Sequence, residues 1–175
     1  LPVLISINQN INGAALNVPY RISLYDDRGI LIIEKEGKVT LYAHRNSLAF
    51  ESALNVGKRI PVKATFEFIQ APVWFKSYDA LDGIAIIDKK YNEENNFSSL
   101  EVSLENRTLF PLKDILVSVI LYNKDGNAIG FSKTIVDNLE AQNGRAVASF
   151  TWPINRKDAV TSIEVIPIIT PISDL

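Results

Sequence analysis

The sequence predicts an all-β chain of two tandem antiparallel β-sandwiches, and three observations carry that prediction. Nearly the same words occur twice, Leu24-Tyr25-Asp26-Asp27-Arg28-Gly29 and Leu121-Tyr122-Asn123-Lys124-Asp125-Gly126, 97 positions apart. Each copy follows an alternating apolar run and ends in an acidic or amide turn closed by Gly, which is how a short β-hairpin loop is written. Finally, no run of ten or more residues carries apolar side chains at helical period, so any helix is expected to be a single turn.

Composition sets the frame for these elements. The chain has 175 residues, 47% of them hydrophobic and 22% charged, enough for one larger β domain or two small ones. The repeat favours two, over residues 1–76 and 77–175. Net charge is −2, with Lys and Arg scattered through turns. Nucleic acid is therefore not an expected partner, since phosphate binding needs a concentrated positive surface. The chain has no Cys, which removes disulfides, thiolate metal sites and Cys nucleophiles. It has no Met either, so it is expected to be a mature or trimmed product. No run approaches the ~20 apolar residues of a membrane helix, and the most apolar segment, Ile163 to Ile172, is interrupted by Pro167 and Pro171.

Taken in order, Leu1 to Ile7 alternates as a strand from the first residue, with Val3, Ile5 and Ile7 on one face. Asn8 to Asn17 is an Asn- and Gly-containing loop, in which Asn tolerates left-handed backbone. Val18 to Tyr25 places Tyr20, Ile22 and Leu24 on one face, and Asp26 to Gly29 turns the chain into Ile30 to Lys35. Lys38 to Leu41 and Leu48 to Ala53 are read as two short strands around Ala43-His44-Arg45-Asn46, and Val62 to Ile69 closes the first unit. Gln70 to Gly83 is the connection, carrying Trp74, Phe75 and Tyr78. Three aromatics there are read first as packing between the domains and second as an exposed ligand-binding platform.

In the second unit Gly83 to Asp88 is read as a strand and Lys89 to Asn96 as a polar loop. Leu100, Val102 and Leu104 alternate, Asn106 to Pro111 turns, and Ile115 to Tyr122 leads into the second hairpin. Asn127 to Ile135, Arg145 to Trp152 and Thr161 to Ile169 complete it. Short strands at this spacing point to sandwiches of immunoglobulin or fibronectin type III kind. Laying Leu24 on Leu121 also brings Thr65-Phe66-Glu67-Phe68 onto Ser162-Ile163-Glu164-Val165 and Val3 to Ile7 onto Leu100 to Leu104. The strand at Gly83 to Asp88 then has no counterpart in the first unit. The first sandwich is expected to lack its N-terminal strand within this chain. An unpaired edge of that kind recruits another strand, supplied either by residues upstream or by a neighbouring subunit through β-strand addition.

Ile22-Ser23-Leu24-Tyr25-Asp26 and Val119-Ile120-Leu121-Tyr122-Asn123 resemble the F-x-L-Y-D signature of small β-sandwich domains in prokaryotic surface proteins, a family without an assigned activity. Neither copy has the Phe, and the second has Asn for Asp. Similar phrasing, Arg59 to Phe68 in the first unit and Val136-Asp137-Asn138-Leu139 with Phe150-Thr151-Trp152-Pro153 in the second, covers most of the chain. The resemblance implies tandem domains of N-terminally membrane-anchored surface proteins, and it bears on fold and location rather than mechanism.

Residues with chemistry are sparse. His44 is the only His, in a polar turn, and by itself cannot build a His-based metal site. The nucleophile elbow and the phosphate-cradling Gly motifs are absent from the sequence. Asn123-Lys124-Asp125-Gly126-Asn127 echoes half of a calcium loop but lacks the distal Glu, so a plain hairpin turn is preferred. Asn96-Phe97-Ser98 and Asn106-Arg107-Thr108 fit the glycosylation pattern. No cofactor or metal is expected. The leading expectation is a non-catalytic, extracellular or cell-surface module for presentation, adhesion or spacing, held by an upstream anchor. The alternatives are a filament subunit assembled by donated strands, and a carbohydrate- or peptide-binding accessory. The interaction residues named are Val3, Ile5 and Ile7 for strand pairing, and Trp74, Phe75 and Tyr78 for a ligand or interdomain surface.

Overall fold

The computed structural model describes residues 1–44, 46–51, 53–76, 83–94, 97–153 and 159–169. It is all β. The strands are β1 (Val3–Asn8), β2 (Ala15–Tyr25), β3 (Leu31–Leu41), β4 (Asn46–Glu51), β5 (Lys63–Phe68), β6 (Ile84–Glu94), β7 (Phe97–Asn106), β8 (Leu112–Tyr122), β9 (Ala128–Leu139), β10 (Gly144–Pro153) and β11 (Ser162–Ile169). The chain divides into two compact units, Leu1–Tyr78 and Asp79–Leu175. The first holds a β1-β4 sheet and a β3-β2-β5 sheet; the second holds β10-β7-β6 and β11-β8-β9, and all pairs are antiparallel.

Each unit is a sandwich because alternate residues of both its sheets face one shared core. In the first, Tyr20, Ile22 and Leu24 of β2, Val39 and Leu41 of β3 and Ala49 of β4 are buried together, with Val3, Ile5 and Ile7 of β1 packed against them. In the second, Leu100, Val102 and Leu104 of β7 face Val117, Val119 and Leu121 of β8. Side-chain hydrogen bonds tie the two sheets of each unit together. Tyr20 donates its hydroxyl to Glu51 at 2.8 Å, and Trp152 donates its indole N–H to the Phe131 carbonyl at 3.0 Å. Burial, then the Glu51 carboxylate, raises the Tyr20 hydroxyl above its ordinary pKa, so it stays a donor.

The repeat reaches down to single hydrogen bonds. Val18 pairs with Val39 and Ile115 with Val136, and both hairpins carry a register shift at the same place, Leu24/Tyr25 and Leu121/Tyr122. In both turns the Asx residue does the same work. Asp26 Oδ1 accepts from Arg28 N (3.0 Å) and Ile30 N (2.9 Å), while Asn123 Oδ1 accepts from Asp125 N (3.1 Å) and Asn127 N (2.9 Å). Only an acceptor oxygen is needed, which is why Asp and Asn interchange. Gly29 and Gly126 follow at φ 74° and 78°, a left-handed backbone that favours Gly.

Several sequence boundaries shift. Ile30–Lys35 and Lys38–Leu41 are one strand, β3, running through Glu34, Lys35 and Glu36. Those charges do not break it, because on the outer face Arg21 of β2 reaches Glu34 at 3.2 Å, Glu36 at 2.7 Å and Glu67 of β5 at 3.3 Å. Lys89 to Glu94 is not a loop but the second half of β6, whose exposed side chains suit an edge strand. The last strands also align differently from the expectation. Tyr25 faces Lys63 and Tyr122 faces Ser162, so β5 and β11 correspond at a spacing of 99, two residues off the 97 of the hairpins.

Gly37 of β3 lies opposite Tyr20, and a Cβ there would meet Tyr20 Cζ at 2.5 Å and Glu51 Oε1 at 2.9 Å. Gly37→Ala is therefore expected to displace the Tyr20–Glu51 tie and to destabilise the first unit by about 1–3 kcal/mol, as overpacking does. Urea unfolding checks it: an unchanged midpoint would mean that the ring moves aside without loss.

Candidate functional site: the open edge of the first unit

Among the described residues β1 pairs with β4 alone, whereas its counterpart β7 sits between β10 and β6. The difference is visible in burial. Leu100, Val102 and Leu104 are fully buried at 0% exposure, while Val3, Ile5 and Ile7 at the same positions of β1 are only half-buried. Their inner faces pack on the first core, and the strand edge beside them is uncovered by any described strand.

β1 differs from the other edge strands in chemistry as well. Val-Leu-Ile-Ser-Ile-Asn contains no charge and no Pro. By contrast β3, β5, β6 and β9 each carry Lys, β4 carries Glu51, β10 carries Arg145, and β11 carries Glu164 and Pro167. Charges and Pro are the usual protection against edge-to-edge pairing. The backbone polarity of the edge follows from the end of the strand: Leu1 and Leu54 exchange two hydrogen bonds of 2.9 Å. By alternation along an extended strand, residues 3, 5 and 7 also turn their N–H and C=O toward β4. Leu4 and Ser6 turn theirs to the open edge.

The aromatic residues of the connection are placed otherwise. Phe75 forms an isolated antiparallel bridge with Ala14, with N–H···O bonds of 2.9 and 3.0 Å in both directions, so its backbone belongs to the first unit. Trp74 is 38% exposed and sits near Gly13, whose Cβ would lie 3.7 Å from Trp74 Cε3. Tyr78 lies outside the described residues. Trp74 and Phe75 are thus neighbours along the chain on the Gly13–Ala14 loop.

His44 is exposed at φ 53° and its Nε2 contacts Asn12 Oδ1, a loop-to-loop contact within the first unit. Asn123 Oδ1 accepts from two backbone N–H groups within the hairpin turn. Among the described residues no three His, Asp or Glu side chains are grouped to hold a metal ion.

Asn106, the first residue of a glycosylation pattern, is fully buried. Its Nδ2 donates to the Phe110 carbonyl at 2.8 Å and the Leu139 carbonyl at 3.0 Å, and its Oδ1 accepts from Thr108 N (2.9 Å) and Oγ1 (2.7 Å). The amide that would carry a sugar is committed to the fold. Asn96 lies outside the described residues. The loop that Asn106 fastens presents Leu109 and Phe110, each 73% exposed, a surface that periodicity did not single out. A shallow hollow of about 300 Å³ beside Phe97, Asn92 and Glu94 is equally unmarked in the sequence, because the exposed end of β6 carries no alternation.

Next to Asn106, Glu105 is 9% exposed and is bound by Arg145 at 3.0 Å and Arg107 at 3.3 Å. Hydrogen bonds from Arg145, then Arg107, hold its carboxyl below the ordinary value of 4.5. A carboxylate with a depressed folded pKa contributes stability that is present above the unfolded value and is lost as pH falls through the folded one. Glu105→Gln is therefore expected to lower the urea midpoint at pH 7, and its gap from the parent should narrow as pH falls below the unfolded glutamate value of about 4.3. A gap that stays constant from pH 7 to pH 3 would remove the charge from the account.

No protein-family model matches the chain, and no curated protein matches it by sequence. Among solved structures it is similar to Bacteroides uniformis β-glucuronidase 2, at 13% identity and a TM-score of 0.28, over 96% of this chain and 22% of that one. A second Bacteroides uniformis β-glucuronidase structure gives 14% identity, TM-score 0.28, and coverage of 95% and 21%. The chain thus spans little more than a fifth of these proteins, and a likeness this distant carries no argument about activity.

Proposed function

We propose that the protein is a non-catalytic, extracellular or cell-surface module in which tandem β-sandwiches space or present a neighbouring part of the same surface assembly. The observation that supports this most is the reuse of one frame. Two units, each with its own core and cross-sheet tie, share strand order, hairpin register and even the Asx hydrogen bonds of the turn. Repeating a self-contained sandwich extends a chain in defined steps, and no step of chemistry is required of it. The Leu-Tyr-Asx signature of prokaryotic surface domains points the same way.

The test is location. Protease added to intact cells of the source organism should degrade the protein while a cytoplasmic marker survives. Degradation only after lysis would overturn the reading.

A further inference from the structure

The uncovered edge of β1 has a pattern of its own. Read about Ile5, the inward face of the strand is symmetric, with Val3 and Ile7 flanking it at two residues, while the positions between them, Leu4 and Ser6, differ in chemistry. We infer that this edge is where two copies of the chain join, β1 pairing antiparallel with β1 of the second copy about a two-fold axis at Ile5. The inference stands apart from the surface reading above, since it rests on the strand alone.

The geometry allows this pairing closely. With the axis at Ile5, Leu4 lies opposite Ser6 of the other copy and Ser6 opposite its Leu4. These are the residues whose N–H and C=O face the open edge, so each such pair exchanges two backbone hydrogen bonds. Ile5 then meets its own copy, and Val3 meets Ile7, which puts apolar side chains beside one another on the core face. The result is a continuous sheet, β4-β1-β1-β4, with one patch used twice, as two-fold symmetry requires. No charge opposes the contact, because β1 has none. Antiparallel is also the sense in which β6 covers β7, where the equivalent side chains reach full burial. A six-residue edge is short of a standard interface, so the dimer is expected to be weak and to depend on concentration.

The experiment uses the whole chain. Sedimentation velocity from 1 μM to 1 mM should show monomer passing to dimer, and Ser6→Pro should raise the dissociation constant at least tenfold. Pro at position 6 removes an N–H that β4 does not use, so the far-UV spectrum and thermal midpoint should stay those of the parent. A second measurement fixes the register. The protein has no Cys, so Ile5→Cys under mild oxidation should link two copies rapidly, and Leu4→Cys, offset from its own copy, should link them much more slowly. A chain that stays monomeric throughout, with β1 amides exchanging freely, overturns the proposal. So does a monomer whose β1 amides are protected, which would mean that another strand of the polypeptide fills the edge. Equal linking by both Cys variants refutes the two-fold axis at Ile5.

Discussion

Asn106→Ala is expected to be the most damaging single polar change in the protein, lowering the stability of the second unit by about 3 kcal/mol. The side chain makes four hydrogen bonds at zero exposure, two donated to carbonyls 33 and 4 residues away and two accepted from Thr108. A net worth of about 0.5–1.5 kcal/mol for each of the four gives that magnitude, and the Phe110 carbonyl keeps Thr108 Oγ1 as a donor. The loss should also release the loop that displays Leu109 and Phe110. Hydrogen exchange would read both effects: Thr108 and Phe110 amides should lose protection before the strands do. A midpoint within 0.5 kcal/mol of the parent would show that water replaces the amide at little cost. Asn106→Asp separates the two halves of the role, since it keeps the acceptor for Thr108 and removes both donors.

Leu121→Ala should cost a comparable 2–5 kcal/mol, by cavity formation in the second core, and Leu24→Ala the same in the first. Both leucines sit at the last inward position before the hairpin, at 0% and 2% exposure. Leu121 additionally rests on Gly130, where a Cβ would approach its Cδ1 at 2.9 Å, so the neighbouring backbone is already in contact and has little room to collapse inward. Residue-resolved exchange distinguishes the outcomes. Each substitution should raise exchange mainly in the unit that carries it, and equal loosening of both units by either change would contradict two separate cores.

The parts of the fold visible in the sequence were those governed by local chemistry. The Asx-Gly turns could be read because an acceptor oxygen at the first position and a left-handed Gly are written in four or five residues. The alternation of Tyr20, Ile22 and Leu24 gave the buried face of β2 for the same reason. β6 escapes that reading beyond Asp88, since only Tyr91 of its charged half is partly buried and alternation has nothing to mark. Its strand character comes from hydrogen bonding to β7, a partner distant in none of the local signals. The spacing of 99 for β5 and β11 was hidden because loops absorb two residues without changing which face points inward. As for the site, the repeat marked the edge beside Val3, Ile5 and Ile7 as unmatched, while the aromatic wording around Trp74 drew attention to a stretch that is tied down by Ala14.

One pair of positions bears on how a chain with two look-alike halves sorts itself during folding. Tyr20 faces Gly37 in the first unit; the same lattice points in the second hold Val117 and Thr134. Large meets none in one half, and medium meets medium in the other. Were β2 to zip onto β9 by mistake, the phenol would collide with Thr134, and β8 on β3 would leave a void over Gly37. Tandem homologous domains risk such exchange when their sequences are interchangeable. The compensating volumes disfavour that exchange, although the backbone pattern would accept either pairing.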